Sequence, residues 1–348
     1  MQGEMGKREE ILKVAEHYFL NKGFDGTSVR TIMKSVGSEI GLFYYYFKNK
    51  DEVFDLVLER FFAQYQVDFA QIVKEGRRNP CRLMENFFAY MERETQKFRA
   101  QYAANIHKTV RWAIREHTLA IIEPYLKQIV DIQSNYYKVK PPLTNDVVAL
   151  YLTHGVGSAI LHEESETYQL NRAEIKKGVS LLMGMKEEEQ SLRIPLLATE
   201  EDIESWMEMV TRMVEYFPGF EEAEYRKALK THILNKEAWA FKDNGKIVAV
   251  VFYSKCNGEI DFLAVDKAYQ RSGLAKRLLE TVAAQLKVGS KLSVLTFCEN
   301  DEKGKAARAF YKALGFEEGE FYTAFGYPCQ KLSITVPDYP LGTQLVSK

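Results

Sequence analysis

The stretch Glu259 to Leu279, EIDFLAVDKAYQRSGLAKRLL, holds residues spaced for chemistry. A strand-like run ends at Val265, a loop carries Gln270-x-x-Gly273-x-Ala275, and a helical pattern begins at once. That order turns several backbone N–H groups and a helix N-terminus toward one spot, an anion site suited to a pyrophosphate. Gly273 admits close backbone approach, because a side chain there would collide with phosphate. The loop is not a dinucleotide fingerprint: no G-x-G-x-x-G is present, and the preceding strand leaves a hairpin. Glu259 and Asp261 alternate along the strand and therefore share a face. Downstream, Ala307-x-x-Phe310-Tyr311-x-x-x-Gly315-Phe316 places an aromatic pair on an amphipathic helix.

A second constellation lies at Thr27 to Val53, TSVRTIMKSVGSEIGLFYYYFKNKDEV. Thr27 or Ser28 can cap a short helix reaching about Val36, Gly37 supplies a tight turn, and a second short helix follows from about Glu39 to Tyr45. Two short helices joined by a glycine turn make a helix-turn-helix, whose second helix enters the DNA major groove. Lys48-Asn49-Lys50-Asp51 opens a further helix whose N-terminal amides can meet a phosphate.

These motifs need different scaffolds. From Lys7 to about Met185 apolar residues recur at helical spacing. Breaks delimit longer helices near 52–74, 81–99, 104–138, 144–163 and 172–185, with Pro124 expected to split or kink the third. The charged segment 186–191 reads as a linker. Beyond it strands and helices alternate. Leu192–Ala198 is extended; 201–217 and 221–234 are helical. Trp239–Lys242 and Lys246–Ser254 flank the turn Asp243-Asn244-Gly245 as a hairpin. A strand at Glu259–Val265, a helix near 273–287, a strand at 291–298, a helix near 304–314 and strands near 320–325 and 330–336 complete an α+β domain with a mostly antiparallel sheet.

Length favours two or three domains. Lys plus Arg number 47 against 48 Asp plus Glu, a formal net charge of −1, so nucleic-acid contact must rest on a local patch. Cys81, Cys256, Cys298 and Cys329 form no C-x-x-C pair, and His154 and His162, eight apart, make no metal site. Neither a signal peptide nor a run of about 18 apolar residues is present, so a soluble cytoplasmic protein without membrane contact is expected.

The stretch from Thr27 to Val53 resembles the TetR family of repressors, matching at Thr27, Val29, Ile32, Gly37, Gly41, Tyr44, Phe47 and Lys50. The resemblance implies a DNA-binding domain over 5–62 and an all-helical dimerising and effector-binding domain over 63–186. It implies that Thr27, Tyr44, Tyr45, Lys48 and Lys50 grip phosphates of an operator duplex, and that Arg30, Ser38 and Leu42 approach groove edges. Phe43 and Phe47 are expected to pack. Two recognition helices must reach half-sites about 34 Å apart, so a homodimer is expected, with the helices near 144–163 and 172–185 as interface candidates. Glu39-Ile40 departs from the family pattern: Glu39 either accepts from a cytosine amino group or repels phosphate.

The stretch from Glu259 to Phe316 resembles the GNAT acetyltransferase superfamily, and the likeness extends over 191–337. It implies acetyl-CoA as co-substrate, no metal, and acetyl transfer to an unidentified amine. Gln270, Arg271, Ser272, Gly273, Leu274 and Ala275 would hold the pyrophosphate, and backbone groups of Leu263, Ala264 and Val265 the pantetheine arm. Tyr311 would protonate the departing thiolate, unless it is a core aromatic, and Glu259 would act as general base, unless it is a solvated strand-start carboxylate. Gly304 stands where many members carry a CoA-contacting Asn; Asn300 can substitute. The acidic region 201–234 would attract a cationic amine, although solvated helix faces explain the same charges. Two other functions stay open: a regulator whose second half senses acetyl-CoA without catalysis, and an acetyltransferase on a helical scaffold that binds no DNA.

Overall fold

The computed structural model describes residues 2–102, 106–162, 168, 170–185, 192–217, 219–324 and 326–343; the expected linker at 186–191 lies outside them. The chain divides into two compact units, Met1–Val73 with Met84–Gly184, and Lys74–Leu83 with Met185–Lys348. The helices of the first part of the chain are α1 (Gln2–Lys22), α2 (Val29–Val36), α3 (Ile40–Tyr46), α4 (Lys50–Gly76), α5 (Pro80–Tyr102) and α6 (Lys108–Tyr137). They are followed by α7 (Asn145–Tyr151), a π-helical turn (Leu152–Gly157), α8 (Ser158–Leu161) and α9 (Arg172–Leu182).

Capping residues set the short N-terminal helices. Ser28, in extended geometry, accepts from the Thr31 amide and starts α2. Gly37 ends it at φ 69°, a left-handed conformation that costs glycine nothing. The Gly37 and Ser38 amides then return to the carbonyls of Lys34 and Met33, at 3.2 and 3.1 Å. At the start of α4 the Asn49 side chain accepts from the Glu52 amide at 2.8 Å, and the Glu52 carboxylate accepts from the Lys48 amide at 2.6 Å. Ile11, Phe19, Ile32, Met33, Phe43, Phe47 and Val53 are buried in a common core, so Phe43 and Phe47 pack as expected.

Thr27 and Lys50, both expected to grip phosphates, make hydrogen bonds within the protein. Thr27 is buried, and its hydroxyl donates to the Gly23 carbonyl at 2.8 Å. The Lys50 ammonium donates to the carbonyls of Phe24 and Thr27, at 2.8 and 3.1 Å, and lies 3.9 Å from the Phe24 ring centroid. The Lys50 side chain ties the α1–α2 loop to α4, and the Thr27 hydroxyl closes that loop on itself. Their polar groups are spent inside the protein, because carbonyls in a partly buried turn need donors.

The longer helices differ in detail from the sequence pattern. Helix α6 begins only at Lys108, where His107 caps the Thr109 amide, and it runs through Pro124 to Tyr137 without dividing. Near α8, a Cβ added to Gly157 would lie 2.8 Å from Ile122 Cδ1, so this glycine serves close approach to α6. Among the described residues no helix is long and apolar enough to cross a membrane.

The second unit carries a seven-stranded sheet of order β1-β2-β3-β4-β5-β7-β6. Its strands are β1 (Leu196–Leu197), β2 (Ala238–Asp243), β3 (Lys246–Ser254), β4 (Glu259–Val265), β5 (Lys291–Phe297), β6 (Glu317–Ala324) and β7 (Tyr327–Thr335). Four helices accompany them: α10 (Ile203–Thr211), α11 (Glu222–Leu234), α12 (Leu274–Gln285) and α13 (Lys305–Ala313). Only β1 is much shorter than its sequence pattern, which is extended over 192–198. Neighbouring strands are antiparallel except β4 and β5. One core cluster gathers Val251, Leu278, Leu279, Val294, Tyr311 and Phe316; another gathers Trp206, Met209, Val250, Phe252 and Phe262. The expected fold class, an all-helical half followed by an α+β half, is what the chain adopts. Within this unit Arg78 donates to the carbonyls of Ala283 and Leu286, at 2.6 and 3.0 Å, satisfying the C-terminal end of α12.

Two predictions test this framework. Gly258 has φ 62°, and a Cβ there would lie 2.1 Å from the Lys291 carbonyl oxygen. Gly258→Ala should therefore destabilise the second unit by about 2–4 kcal/mol, read by urea unfolding. Lys50→Met removes two charge-assisted hydrogen bonds and should cost the first unit about 1–3 kcal/mol. An unchanged unfolding midpoint would show that Lys50 is not a structural clamp.

Candidate functional site

The centre of the second unit is a gap between neighbouring strands. β4 and β5 pair only at Glu259–Ser293 and Ile260–Val294. Leu263, Ala264 and Val265 pair with Val251, Val250 and Ala249 of β3, and none of the three has a β5 partner. Backbone polar groups on that edge must therefore be satisfied by something other than the sheet ladder.

The loop that follows β4 ends at the start of α12. The Gln270 side chain donates to the Val265 carbonyl at 3.3 Å, and the Tyr269 hydroxyl donates to Asp243 at 2.6 Å, tying the loop to β2. Arg277, one turn into α12, donates to the Ser272 carbonyl at 3.1 Å. Arg271 and Gly273 both have positive φ, 61° and 81°. Gly273 precedes α12 with no side-chain cap, and a Cβ there would meet no atom within 4 Å. The first amides of α12, beginning at Leu274 and Ala275, thus face an open cradle with a helix dipole behind it. Gln270, Arg271 and Ser272 are exposed around it. These residues fit a pyrophosphate.

Tyr311 lies on α13, 5% exposed, with ring centroids 5.3 and 5.2 Å from Phe310 and Phe316. Burial pushes its hydroxyl pKa well up, so it stays a protonated phenol. Phe310 is the less buried of the two. Gly304 has a packing reason: a Cβ there would sit 2.3 Å from Phe297 Cβ, which leaves no room for asparagine. Asn300 is exposed in the turn after β5.

A bulge falls at Asp261, two residues beyond Glu259 on β4. Phe252 pairs with Phe262 and Tyr253 with Ile260, which leaves Asp261 as the extra residue of β4. Glu259 forms an ion pair with Lys331 at 3.4 Å. Asp261 accepts from the Ser254 hydroxyl at 3.0 Å and lies 3.5 Å from His232 Nε2, whose Nδ1 is 3.3 Å from Glu237. Desolvation raises the Asp261 pKa. His232 and Glu237 were not legible as neighbours of β4, because only the strand register and the packing of α11 bring them there. Cys298 lies just beyond β5 and is half-exposed.

In the first unit, Tyr44 and Tyr45 are 59% and 70% exposed on α3, beside the buried anchors Phe43 and Phe47. Arg30 and Lys48 are exposed as well, Ser38 is half-exposed, and Leu42 packs partly against the core. Glu39, directly before α3, makes no side-chain cap bond. The long helices enclose a cavity of about 640 Å³ whose wall includes Phe61, Tyr65, Phe98, Trp112, Arg115 and Leu161. Among the described residues no group of three or more His, Cys, Asp or Glu could hold a metal ion.

Residues 204–316 match the model of the Acetyltransferase (GNAT) family, and residues 11–57 that of the Bacterial regulatory proteins, tetR family. The HTH-type transcriptional repressor NemR of Escherichia coli K12 is 27% identical over 95 residues, 27% of this chain and 46% of that protein. The chain thus spans about half the length of NemR. The HTH-type transcriptional repressor DhaR of Mycobacterium sp. GP1 is 25% identical over 46% of this chain and 83% of its own. Among solved structures, Ard1 from Thermoplasma volcanium aligns with 41% of this chain and 96% of its own, at 18% identity and a TM-score of 0.34. The ribosomal-protein-S18-alanine N-acetyltransferase from Escherichia coli aligns with 44% and 98%, at 21% identity and 0.33. One chain therefore joins a segment that matches the TetR-family model to one that matches the GNAT-family model.

Proposed function

We propose that the protein is a dimeric TetR-type transcriptional regulator that also transfers an acetyl group from acetyl-CoA to an amine. Residues 5–62 bind operator DNA, 63–186 dimerise and hold a small-molecule effector in the helical cavity, and 191–337 carry the transferase. The observation that carries the enzymatic part is the gap between β4 and β5, which ends beside the open cradle at Gly273. Acetyl-CoA supplies an activated acyl thioester when bound.

This chain's residues do the rest. The amides from Arg271 to Ala275, with the α12 dipole, hold the pyrophosphate, while the free β4 edge at Leu263, Ala264 and Val265 binds the arm and polarises its carbonyl. Asn300 stands near the end of β5 for a further contact. Tyr311, kept protonated by burial, donates to the departing thiolate, and Glu259 takes the proton of the attacking amine, directly or through water. On the DNA side, Tyr44, Tyr45 and Lys48 contact phosphates, and Arg30, Ser38 and Leu42 approach the bases. The exposure of two tyrosines on α3 supports that assignment.

Release of CoA from acetyl-CoA with a panel of amines tests the enzyme. Tyr311→Phe should lower kcat by about 100-fold, the scale of a lost general acid, with little change in KM for acetyl-CoA. Tight acetyl-CoA binding without turnover on any amine is the outcome expected of a sensor, and it would sink the transferase. Gel shifts on the protein's own upstream DNA test the regulator. Tyr45→Ala should weaken binding by about 5- to 10-fold through loss of a phosphate hydrogen bond, with the unfolding midpoint unchanged. No shifted band with the wild-type chain is the result expected of a scaffold without DNA function.

A further inference from the structure

The helical cavity has an electrostatic character that narrows what can occupy it. Its size, about 640 Å³, lies in the usual range for small-molecule sites. The wall is largely aromatic: Phe61 packs edge-on against Phe98, with centroids 5.8 Å apart, and Tyr65 and Trp112 extend the apolar lining. Such a surface takes a ring system or a hydrocarbon chain.

Two cations in that wall lack a carboxylate partner among the described residues. The Arg115 guanidinium donates through Nη2 to the neutral Ser158 hydroxyl, and its Nε–H is buried with no acceptor. Lys108 lies 5.0 Å from the Trp112 ring centroid and makes no other described interaction. The acidic member of the wall, Glu94, is already paired with Arg93 and Lys97 at 3.0 and 2.8 Å. A buried donor left unmade is costly, and the guanidinium fork matches a carboxylate better than any neutral group.

We propose that the effector is an apolar, preferably aromatic, monocarboxylate whose anionic group seats on Arg115 while its body lies among Phe61, Tyr65, Phe98 and Trp112. This rests on the reading of the cavity as the effector site. A cationic ligand would meet Arg115 and Lys108 with no free carboxylate to offset them.

Calorimetric titration of the full chain tests the class. The probes are benzoate, naphthalene-2-carboxylate, biphenyl-4-carboxylate and decanoate, each beside its primary amide, which keeps the shape and removes the charge. At least one acid should bind about 10- to 100-fold more tightly than its amide. Arg115→Met should abolish that preference while leaving the amide's affinity unchanged, and Arg115→Lys should retain part of it. The same acid should change the gel shift on the upstream DNA. Amides binding as well as acids would overturn the anionic class and leave the effector site standing. Binding of an acid without any change in the gel shift would overturn the effector reading alone. No binding by any of the eight compounds would overturn both.

Discussion

The parting of β4 from β5 after two register pairs is the constraint on which the second unit depends. An uninterrupted parallel pair would satisfy the backbone of Leu263, Ala264 and Val265, and the sheet would be closed. Instead Gly258 brings the start of β4 against β5, with its carbonyl accepting from the Ser293 amide at 2.8 Å, and the strands diverge beyond Ile260. Each diverging strand leads into a helix, β4 into α12 and β5 into α13. Helix N-termini and unpaired strand edges therefore converge where the sheet opens. At the paired end, close approach to the Lys291 carbonyl leaves room for glycine alone at position 258.

Charge enters this arrangement sparingly. The chain is nearly neutral, and at the cradle Arg277 is turned back onto the Ser272 carbonyl, which leaves the α12 amide dipoles and the exposed Arg271. In the DNA-type module the same economy appears in α3. Phe43 and Phe47, four apart, fill the core, so the helical period leaves Tyr44 and Tyr45 outward as neutral donors. Local placement, not a basic field over the whole molecule, decides where anions can dock.

Most of this was legible wherever the backbone demanded a particular residue. Gly37 and Ser28 marked the helix-turn-helix because a left-handed cap and an N-cap accept few substitutes. Gly273 marked the cradle for the same reason. What sequence left hidden depends on partners far along the chain. The inward turn of Lys50 needs the Phe24 and Thr27 carbonyls, and nothing local distinguishes it from an exposed lysine. The bulge at Asp261, and the meeting of that carboxylate with His232, follow from cross-strand register and the docking of α11. Pro124 was expected to split or kink α6; the helix is not split, since a proline removes only one amide donor and a long, packed helix absorbs that loss. Gly304 looked like a missing contact residue; its neighbour Phe297 shows it to be a packing requirement.

The position of Tyr311 follows from an arginine that carries no sequence signature. Arg308 is 4% exposed, one turn before Tyr311 on the same face of α13. Its guanidinium donates to the Phe297 carbonyl at 3.0 Å, at the end of β5, and to the Glu318 carboxylate of β6 at 2.5 Å. A buried guanidinium is tolerable only with such bonds made, so α13 cannot rotate or slide without stranding a charge. That lock fixes which of the neighbouring aromatics faces inward. It explains why Tyr311, and not Phe310, is the buried member of the pair. Burial there raises the pKa of the Tyr311 hydroxyl and keeps it protonated.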